Sequence, residues 1–372
     1  MTDSDSDIDD GAPLSPRENP HLLGHQAAED RFLATWQSGR MPHSWLISGP
    51  RGIGKATFAF RAGRFALAEG GDAEPAGLFG DAAPADSLQL DPEHPVFRRV
   101  AASAHPDLMT LQRSVNPDTN KLRSSIAVDD VRKAGDFMRL TPSEGGWRVV
   151  VVDSVDELNV NAANALLKVL EEPPARALLL LVSHTPGRLL ATIRSRCCRL
   201  TLKRLSEAHV TDLLASQRSE LSPEDRLSIA RLADGSPGRA LSLADDDGLG
   251  LYRALIALMM HLPSPPVPAI HAFGDLLARN GAEEKFRTAT ELMSWWIGRL
   301  ARSGARGQGE PAPIIPEEQG CGARLLGAAG VDRWMEVWEK INRLSDQTDR
   351  LNLDRKQALL SMFHALQGAM KT

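Results

Sequence analysis

A glycine-rich turn joins a predicted strand to a predicted helix in the stretch Leu46-Ile-Ser-Gly-Pro-Arg-Gly-Ile-Gly-Lys-Ala-Thr-Phe58. Gly49 and the pair Gly54-Lys55 have the spacing of the phosphate-binding loop G-x-x-x-x-G-K-[S/T]. Glycine lets backbone N–H groups approach phosphate oxygens, and the lysine adds a positive charge beside them. Ala56 occupies the Ser/Thr position, so the hydroxyl that normally holds Mg²⁺ is missing. The stretch therefore predicts phosphate binding with weakened metal coordination.

Two further positions complete the candidate nucleotide site. Thr57 does not replace the missing hydroxyl, because one step along a helix rotates the side chain by about 100°. Asp153 ends a predicted strand that contains four consecutive valines, where a carboxylate can hold Mg²⁺ through water. The candidate site residues are Gly49, Gly52, Gly54, Lys55, Ala56, Thr57 and Asp153. Two plainer interpretations stay open: a glycine-rich turn that binds nothing, and a strand-end carboxylate that caps a turn.

The residue after Asp153 indicates a site that does not hydrolyse nucleotide. An active ATPase with a phosphate-binding loop in an α/β domain usually has Glu there to polarise the attacking water. This chain has Ser154 at that position. A serine hydroxyl is no base at neutral pH, and losing a positioned general base lowers the rate by about 10²–10⁴. Ala56 and Ser154 together predict that ATP or ADP binding is possible and that the chain's own ATPase activity is absent or very weak.

Apolar runs alternate with helical patterns in the N-terminal half of the chain. Strands are predicted over residues 44–48, 107–112, 148–153, 177–183 and 197–202. Five strands with helices between them predict a parallel sheet in a three-layer α/β domain. From residue 206 onward the pattern is helical, and residues 303–322, rich in Gly, Pro and Ala, are predicted to form a mobile loop. The predicted boundaries are a disordered acidic tail over 1–18, the α/β domain over 19–204, short helices over 205–243 and longer helices over 244–372.

Composition excludes several classes of protein. The chain has 372 residues, a formal net charge of −5 and three cysteines. No C-x-x-C pair occurs, so we expect neither a disulfide framework nor a cysteine zinc site, and the cysteine usage fits a reducing cytoplasm. The apolar runs are too short to span a bilayer. The negative charge argues against a chain that binds DNA by itself.

Three arginines lie close together immediately before the last predicted strand, in Arg194-Ser-Arg-Cys-Cys-Arg199. Most surface charges contribute little, so ordinary surface salt bridges are one interpretation. The other is an arginine that stabilises transition-state charge on the nucleotide of a neighbouring subunit. The residues alone leave both interpretations open.

Six motifs together resemble the bacterial clamp-loader family of AAA+ proteins, which belongs to the nucleotidyltransferase complex DNA polymerase III. The motifs are His21-Leu-Leu-Gly-His25, Gly49-Pro-Arg-Gly-Ile-Gly-Lys55, His105-Pro-Asp-Leu108, Asn164-Ala-Leu-Leu-Lys-Val-Leu-Glu-Glu-Pro-Pro174, Ser195-Arg-Cys197 and Gly235-Ser-Pro-Gly-Arg-Ala-Leu241. The run that ends in Leu-Glu-Glu-Pro-Pro and the Ser-Arg-Cys triplet are the most specific. The resemblance covers residues 21–243, and the helical pattern of residues 244–372 is compatible with it.

The resemblance implies an architecture and a set of partners. The fold is a RecA-like AAA+ domain, a small helical lid and an all-α collar domain that forms oligomers, which correspond here to residues 19–204, 205–243 and 244–372. The implied function is that of a non-hydrolysing, stator-like subunit in a five-subunit ring with tau/gamma motor and delta subunits. Through that complex the chain would assist the ATP-driven loading of a sliding clamp onto primed DNA. The alternatives are an active AAA+ ATPase motor subunit and an independent DNA-binding module.

The resemblance also assigns roles to residues. Arg196 would be an arginine finger that acts in trans on a neighbouring ATPase subunit. Ser183 and His184 lie where a sensor at the end of a strand is expected, and Arg239 lies near the sensor position of the lid, with its role unassigned. Residues 69–104 contain no cysteine, so the four-cysteine zinc module of many family members is absent or replaced by a metal-free loop, and no zinc is expected.

Overall fold

The computed structural model describes residues 14–70, 85–116, 121–144 and 146–370. The chain divides into two compact units. The first consists of Met1–Leu205 together with Ser236–Gly238, and the second of Ser206–Gly235 together with Arg239–Thr372. The separation of a lid from a collar at residues 243 and 244 stays a prediction.

A five-stranded parallel sheet forms the centre of the first unit. Its strands are β1 (Ser44–Ser48), β2 (Leu108–Leu111), β5 (Arg148–Asp153), β6 (Ala177–Ser183) and β7 (Cys198–Thr201), in the order β2-β5-β6-β1-β7. A separate antiparallel pair consists of β3 (Val115–Asn116) and β4 (Lys121–Leu122). The apolar runs that predicted the strands are buried on both faces, as in other parallel sheets with helices on each side.

Helices cover both faces of this sheet. The helices of the first unit are α1 (Gln26–Gln37), α2 (Lys55–Glu69), α3 (Pro95–Ala101), α4 (Val128–Arg139), α5 (Val160–Glu171) and α6 (Ala191–Ser195). Val149 and Val151 belong to one hydrophobic cluster, which includes α1 and α2, whereas Val150 and Val152 belong to the other, which includes α4 and α5. This alternation follows from the two-residue repeat of a strand. The predicted three-layer α/β domain is confirmed.

Residues 14–18 of the predicted acidic tail are among the described residues. Arg64 on α2 is buried, with 1% of its surface exposed, and it donates hydrogen bonds of 2.9 Å to the carbonyl oxygens of Arg17 and Asn19. A buried guanidinium requires acceptors, and this one fixes the segment that precedes α1. The prediction of a disordered tail lies mostly on residues 1–13, outside the described residues.

Among its described residues, the second unit contains helices and the loops that connect them, and no β-strand. Its helices are α7 (Glu207–Gln217), α8 (Pro223–Ala233), α9 (Pro237–Asp245), α10 (Gly248–Met260), α11 (Val267–Ala278), α12 (Glu283–Ala305), α13 (Cys321–Ala328), α14 (Val331–Leu351) and α15 (Arg355–Ala369). The first two residues of α9 belong to the first unit. Ser222 shows how the sequence sets a helix start, because its hydroxyl accepts from the Asp225 N–H at 3.1 Å and Pro223 follows it. Among the described helices, none is long and apolar enough to cross a membrane.

The loop predicted over residues 303–322 is present but shorter, because α12 and α13 include the residues at its two ends. Helix α12 continues to Ala305, and the segment that follows carries Glu318, of which only 2% is exposed. The Glu318 carboxylate accepts from Tyr252 Oη at 2.9 Å, Trp296 Nε1 at 2.8 Å and the Ile314 N–H at 2.7 Å. A buried carboxylate with several donors anchors the segment in the helical core, although its composition is typical of a loop.

Candidate functional site

The glycine-rich turn lies between the end of β1 and the start of α2. Gly49, Gly52 and Gly54 all have positive φ angles, of 150°, 71° and 94°. L-residues with side chains rarely adopt such angles, and a Cβ at Gly49 would lie 2.5 Å from the Leu202 carbonyl oxygen. The backbone geometry therefore requires these glycines, independently of any ligand.

Every carbonyl group from Pro50 to Ile53 accepts a hydrogen bond from within the first unit. The donors, in order along the turn, are Lys55 Nζ, Ser236 Oγ at 3.0 Å, the Gly238 N–H at 2.8 Å and His25 Nε2 at 2.6 Å. Burial lowers the pKa of His25, so its ring is neutral near neutral pH and its Nε2–H is the donor. The motifs around His25 and Ser236 thus hold the carbonyl side of the turn.

The opposite side of the turn presents N–H groups. In the part of the chain that the structure describes, no protein acceptor binds the amides of Gly52, Ile53 or Gly54. They lie at the N-terminus of α2, where the helix dipole also favours an anion. This arrangement can bind a phosphate group.

Lys55 is the cation of the site. It is 3% exposed, and desolvation lowers its pKa to about 8 against the opposing effect of the Asp153 and Asp156 charges. The pKa of Asp153 is raised, chiefly by burial and then by the nearby Glu157, while Lys55 lowers it. The predicted lysine and strand-end carboxylate therefore lie close enough to interact electrostatically.

The two hydroxyl positions next to Lys55 differ in environment. Thr57 is buried, with 9% exposed, whereas Ala56 is only half-buried. The burial of Thr57 supports the expectation that its hydroxyl points away from the position left vacant by Ala56.

Asp156, which is not among the candidate site residues predicted from the sequence, is the most heavily hydrogen-bonded carboxylate of the site. Its partners are Ser154 Oγ at 3.0 Å, Ser183 Oγ at 2.9 Å, Thr185 Oγ1 at 3.0 Å, the Thr185 N–H at 3.2 Å and the His184 N–H. Burial alone raises a carboxyl pKa, but the bonds from His184, Ser183, Thr185 and Ser154 bring the pKa of Asp156 below its ordinary value. The carboxylate ties the end of β5 to the end of β6.

A signal for this role was present in the sequence. The carboxyl ends of adjacent parallel strands meet at one edge of a sheet, and β5 lies beside β6. The donors of Ser183, His184 and Thr185 therefore face the residues that follow Asp153. The pKa of His184 is lowered to about 4, first by burial and then by the Lys55 and Arg51 charges, so this ring is neutral.

Arg196 follows α6 and is exposed. Its Nη2 forms an ion pair of 2.9 Å with Glu171 Oε1, and its Nη1 donates to the Thr192 carbonyl oxygen at 3.1 Å. Its own carbonyl oxygen accepts from Ser44 Oγ at 2.8 Å. Within this chain, Arg196 therefore forms a surface salt bridge, as the plainer interpretation predicts. Its role in trans stays a prediction.

Arg239 belongs to the second unit. Its guanidinium lies 6.0 Å from the ring centroid of Trp295, and Arg299 lies 5.3 Å from the same centroid. These distances are those of cation–π contacts. Among the described residues, no group of His, Cys, Asp or Glu could hold a metal ion.

Comparison with known proteins identifies the relatives of this chain. Residues 24–206 match the family model described as DNA polymerase III, delta subunit. The chain is 35% identical to DNA polymerase III subunit delta' of Pseudomonas aeruginosa over 52% of its own length, and 33% identical to that of Escherichia coli over 63%. It spans 53% and 64% of the lengths of these two relatives. It is also 31% identical to DNA polymerase III subunit tau of Salmonella typhimurium, over 62% of this chain and 34% of that protein.

Two solved structures from Thermotoga maritima are distantly similar to this chain. One is a protein related to the gamma subunit of DNA polymerase III, with a TM-score of 0.39, 16% identity and coverage of 91% of this chain and 100% of that one. The other is the RuvB Holliday junction branch migration motor, with a TM-score of 0.40, 14% identity and coverage of 87% and 90%. The match over residues 24–206 and the two delta-prime relatives show that much of this chain is similar to DNA polymerase III subunits of the delta-prime type.

Proposed function

We propose that this chain is a non-hydrolysing, stator-like subunit of a cytoplasmic DNA polymerase III clamp loader. In this proposal it joins tau/gamma motor subunits and a delta subunit in a five-subunit ring that loads a sliding clamp onto primed DNA. Its delta-prime relatives and its tau relative support the assignment to this complex. The helical second unit supplies surface for assembly with the other subunits.

The observation that carries the proposal is the environment of Ser154. Its side chain lies where an ATPase needs a base, is 3% exposed and donates its hydroxyl hydrogen to Asp156. A serine hydroxyl is no base at neutral pH, and here it serves as a donor to a structural carboxylate. Ala56 removes the metal-binding hydroxyl of the same pocket. Ser154 and Ala56 both support the proposal that this pocket does not hydrolyse nucleotide.

Nucleotide binding does not require either missing group. The free N–H groups of Gly52 and Gly54 and the ammonium of Lys55 suit the phosphates of ATP or ADP. In the proposed function a bound nucleotide is a structural ligand that stabilises the subunit, and no zinc takes part.

Arg196 is the residue through which the chain acts on its neighbour. Its exposed guanidinium is attached to a short helix whose backbone is bonded to the start of β1. In this proposal it enters the nucleotide site of an adjacent motor subunit and stabilises the charge on the transferring phosphoryl group. Removing a trans arginine lowers the rate at such a site by about 10³ or more.

Reconstitution of the complex tests this assignment. DNA-stimulated ATP hydrolysis is measured for the ring of motor, delta and this subunit, with wild type or Arg196→Ala. We expect the ring with the variant to assemble normally but to lose the contribution of the adjacent motor site to ATP hydrolysis. Arg199→Ala, from the same arginine cluster, is the matched control and keeps wild-type turnover. Unchanged turnover with Arg196→Ala contradicts the assignment.

The motor-subunit alternative is disfavoured by Ala56 and Ser154, and turnover of ATP by the purified chain would favour it. An independent DNA-binding module is disfavoured by the net charge of −5. A steep salt-dependent affinity of the isolated chain for primed DNA would favour that class instead.

A further inference from the structure

The ion pair between Arg196 and Glu171 joins two of the motifs that the sequence analysis singled out. Glu171 is the last residue of α5 and precedes Glu172 and the two prolines that stop the helix. Arg196 is the central residue of the Ser-Arg-Cys triplet. The Glu171 Oε1 to Arg196 Nη2 distance of 2.9 Å is that of a charge-assisted hydrogen bond.

We propose that Glu171 is a positioning residue for Arg196, which orients the guanidinium before the nucleotide of the neighbouring subunit is engaged. This inference rests on the proposed function of Arg196 and adds the residue that sets its direction.

Three contacts fix the arginine at different points along its length. Ser44 Oγ binds its backbone carbonyl group at 2.8 Å, the Thr192 carbonyl oxygen accepts from Nη1 at 3.1 Å, and Glu171 accepts from Nη2. A free arginine side chain samples many rotamers, and this freedom must be lost when it binds a phosphate. Contacts that already restrict the side chain reduce that loss, which is the effect of preorganisation.

The restrained guanidinium keeps donors for an external acceptor. Arginine has five N–H donors, and the bonds to Glu171 and Thr192 use two of them. The Arg196 side chain is 36% exposed, so its other donors are accessible in this chain. Glu171 can thus remain bound to one edge of the guanidinium while another edge binds a phosphate oxygen.

The expected effect is modest, because both partners are partly exposed. The Glu171 side chain is 50% exposed, and ion pairs of this kind contribute little individually. We expect Glu171→Gln to lower the turnover number at the adjacent motor site by about two- to fivefold, with the KM for ATP unchanged. An interaction that matters in the transition state alone has this kinetic signature.

The experiment uses the reconstituted complex with five forms of this subunit: wild type, Glu171→Gln, Glu172→Gln, Arg196→Ala and the double variant Glu171→Gln/Arg196→Ala. DNA-stimulated ATP hydrolysis gives the turnover number and KM for each complex, and thermal unfolding of each isolated subunit measures its stability. Glu172→Gln removes the same charge one residue away and is expected to match wild type. The double variant is expected to match Arg196→Ala, because a positioning residue has no effect without the residue it positions.

The outcomes separate this inference from the proposed function. Unchanged or raised turnover with Glu171→Gln overturns the positioning role, while a loss with Arg196→Ala leaves the proposed function intact. An equal loss from Glu171→Gln in the presence and absence of Arg196 shows a merely structural role and also overturns it. Wild-type turnover with Arg196→Ala contradicts the proposed function itself.

Discussion

The hydroxyl group of Ser154 donates a hydrogen bond of 3.0 Å to the carboxylate of Asp156, in the turn that follows β5. The same carboxylate binds the end of β6 through Ser183 and Thr185. The position where an ATPase of this architecture carries its base is therefore part of a structural network that joins two strands. Substitutions at Ser154 and Asp156 are therefore expected to disturb this network.

Restoring the two missing groups is predicted not to restore hydrolysis. A glutamate at position 154 in the variant Ala56→Ser/Ser154→Glu would place a second carboxylate beside Asp156 and could not donate to it. We expect a lower midpoint of thermal unfolding than wild type and no ATP turnover by the isolated double variant, which still lacks a neighbour's arginine. Ala56→Ser alone is the control and is expected to unfold as wild type does. Rapid hydrolysis by the double variant contradicts this prediction.

Removal of the Asp156 carboxylate is predicted to destabilise the first unit. Asp156→Ala leaves the donors of Ser183 and the His184 backbone without their acceptor, which costs about 1–3 kcal/mol for each group that stays buried. Urea denaturation of the variant measures the free energy of unfolding. Asp129→Ala, on the exposed first turn of α4, is the control and is expected to change it by less than about 0.5 kcal/mol. Equal stability of the two variants would show that the network contributes nothing.

The pKa of Asp156 also predicts a dependence of stability on pH. A carboxyl group whose pKa is lower in the folded than in the unfolded state stabilises the fold above its unfolded pKa. That contribution is lost as the pH falls through the folded pKa. The difference in unfolding free energy between wild type and Asp156→Asn is therefore expected to be largest near neutral pH and to shrink in acid. A difference that grows with acidity contradicts the assigned direction.

Nucleotide affinity is predicted to depend on the charge of Lys55. Loss of a charge-assisted bond to phosphate costs about 1.5–3 kcal/mol, so Lys55→Ala is expected to weaken binding of a fluorescent ATP analogue by about 10- to 100-fold. The pKa of Lys55 is lowered to about 8, so the ammonium deprotonates as the pH rises from 7 to 9 and wild-type affinity falls. Lys168→Ala, outside the turn, keeps this pH profile. A flat profile for wild type argues against Lys55 as the phosphate ligand.

Because Glu318 is buried, its substitution is predicted to lower the stability of the second unit by a large amount. Glu318→Ala leaves Tyr252 Oη and Trp296 Nε1 without their acceptor in the helical core. Glu318 also forms an ion pair of 3.3 Å with Arg299, and removing one partner from a buried ion pair costs about 3–5 kcal/mol. Denaturation followed by tryptophan fluorescence measures the loss, and Glu317→Ala, at the exposed neighbouring residue, is the control. Similar values for the two variants contradict the role of Glu318 as an anchor.

The sequence predicted the sheet well because its strands have an unambiguous pattern. The valines and leucines of Arg148–Asp153 and Ala177–Ser183 form apolar runs that only a strand buried on both faces accommodates, and both predicted ranges agree with the structure. Helices α1 and α3 and the short pair of β3 and β4 had no counterpart among the predicted elements, since their local patterns are weak.

The features that escaped prediction depend on contacts between distant residues. Asp156 acquires its role from Ser183 and Thr185, which are far away in sequence and meet it because their strands are neighbours. Glu318 lies in a segment whose composition is typical of a loop, and its burial depends on donors from α10 and α12. Composition and local periodicity identify the strand ends but do not show which strands are neighbours or which donors reach a buried carboxylate.

The most direct test of the central claim is steady-state ATP hydrolysis by the purified, unassembled chain in the presence of Mg²⁺. The account predicts no turnover above background, because Ala56 and Ser154 replace the metal-binding hydroxyl and the base, and no neighbouring subunit supplies an arginine. Turnover at about 1 s⁻¹ or faster, within the usual range of enzymes, would contradict it.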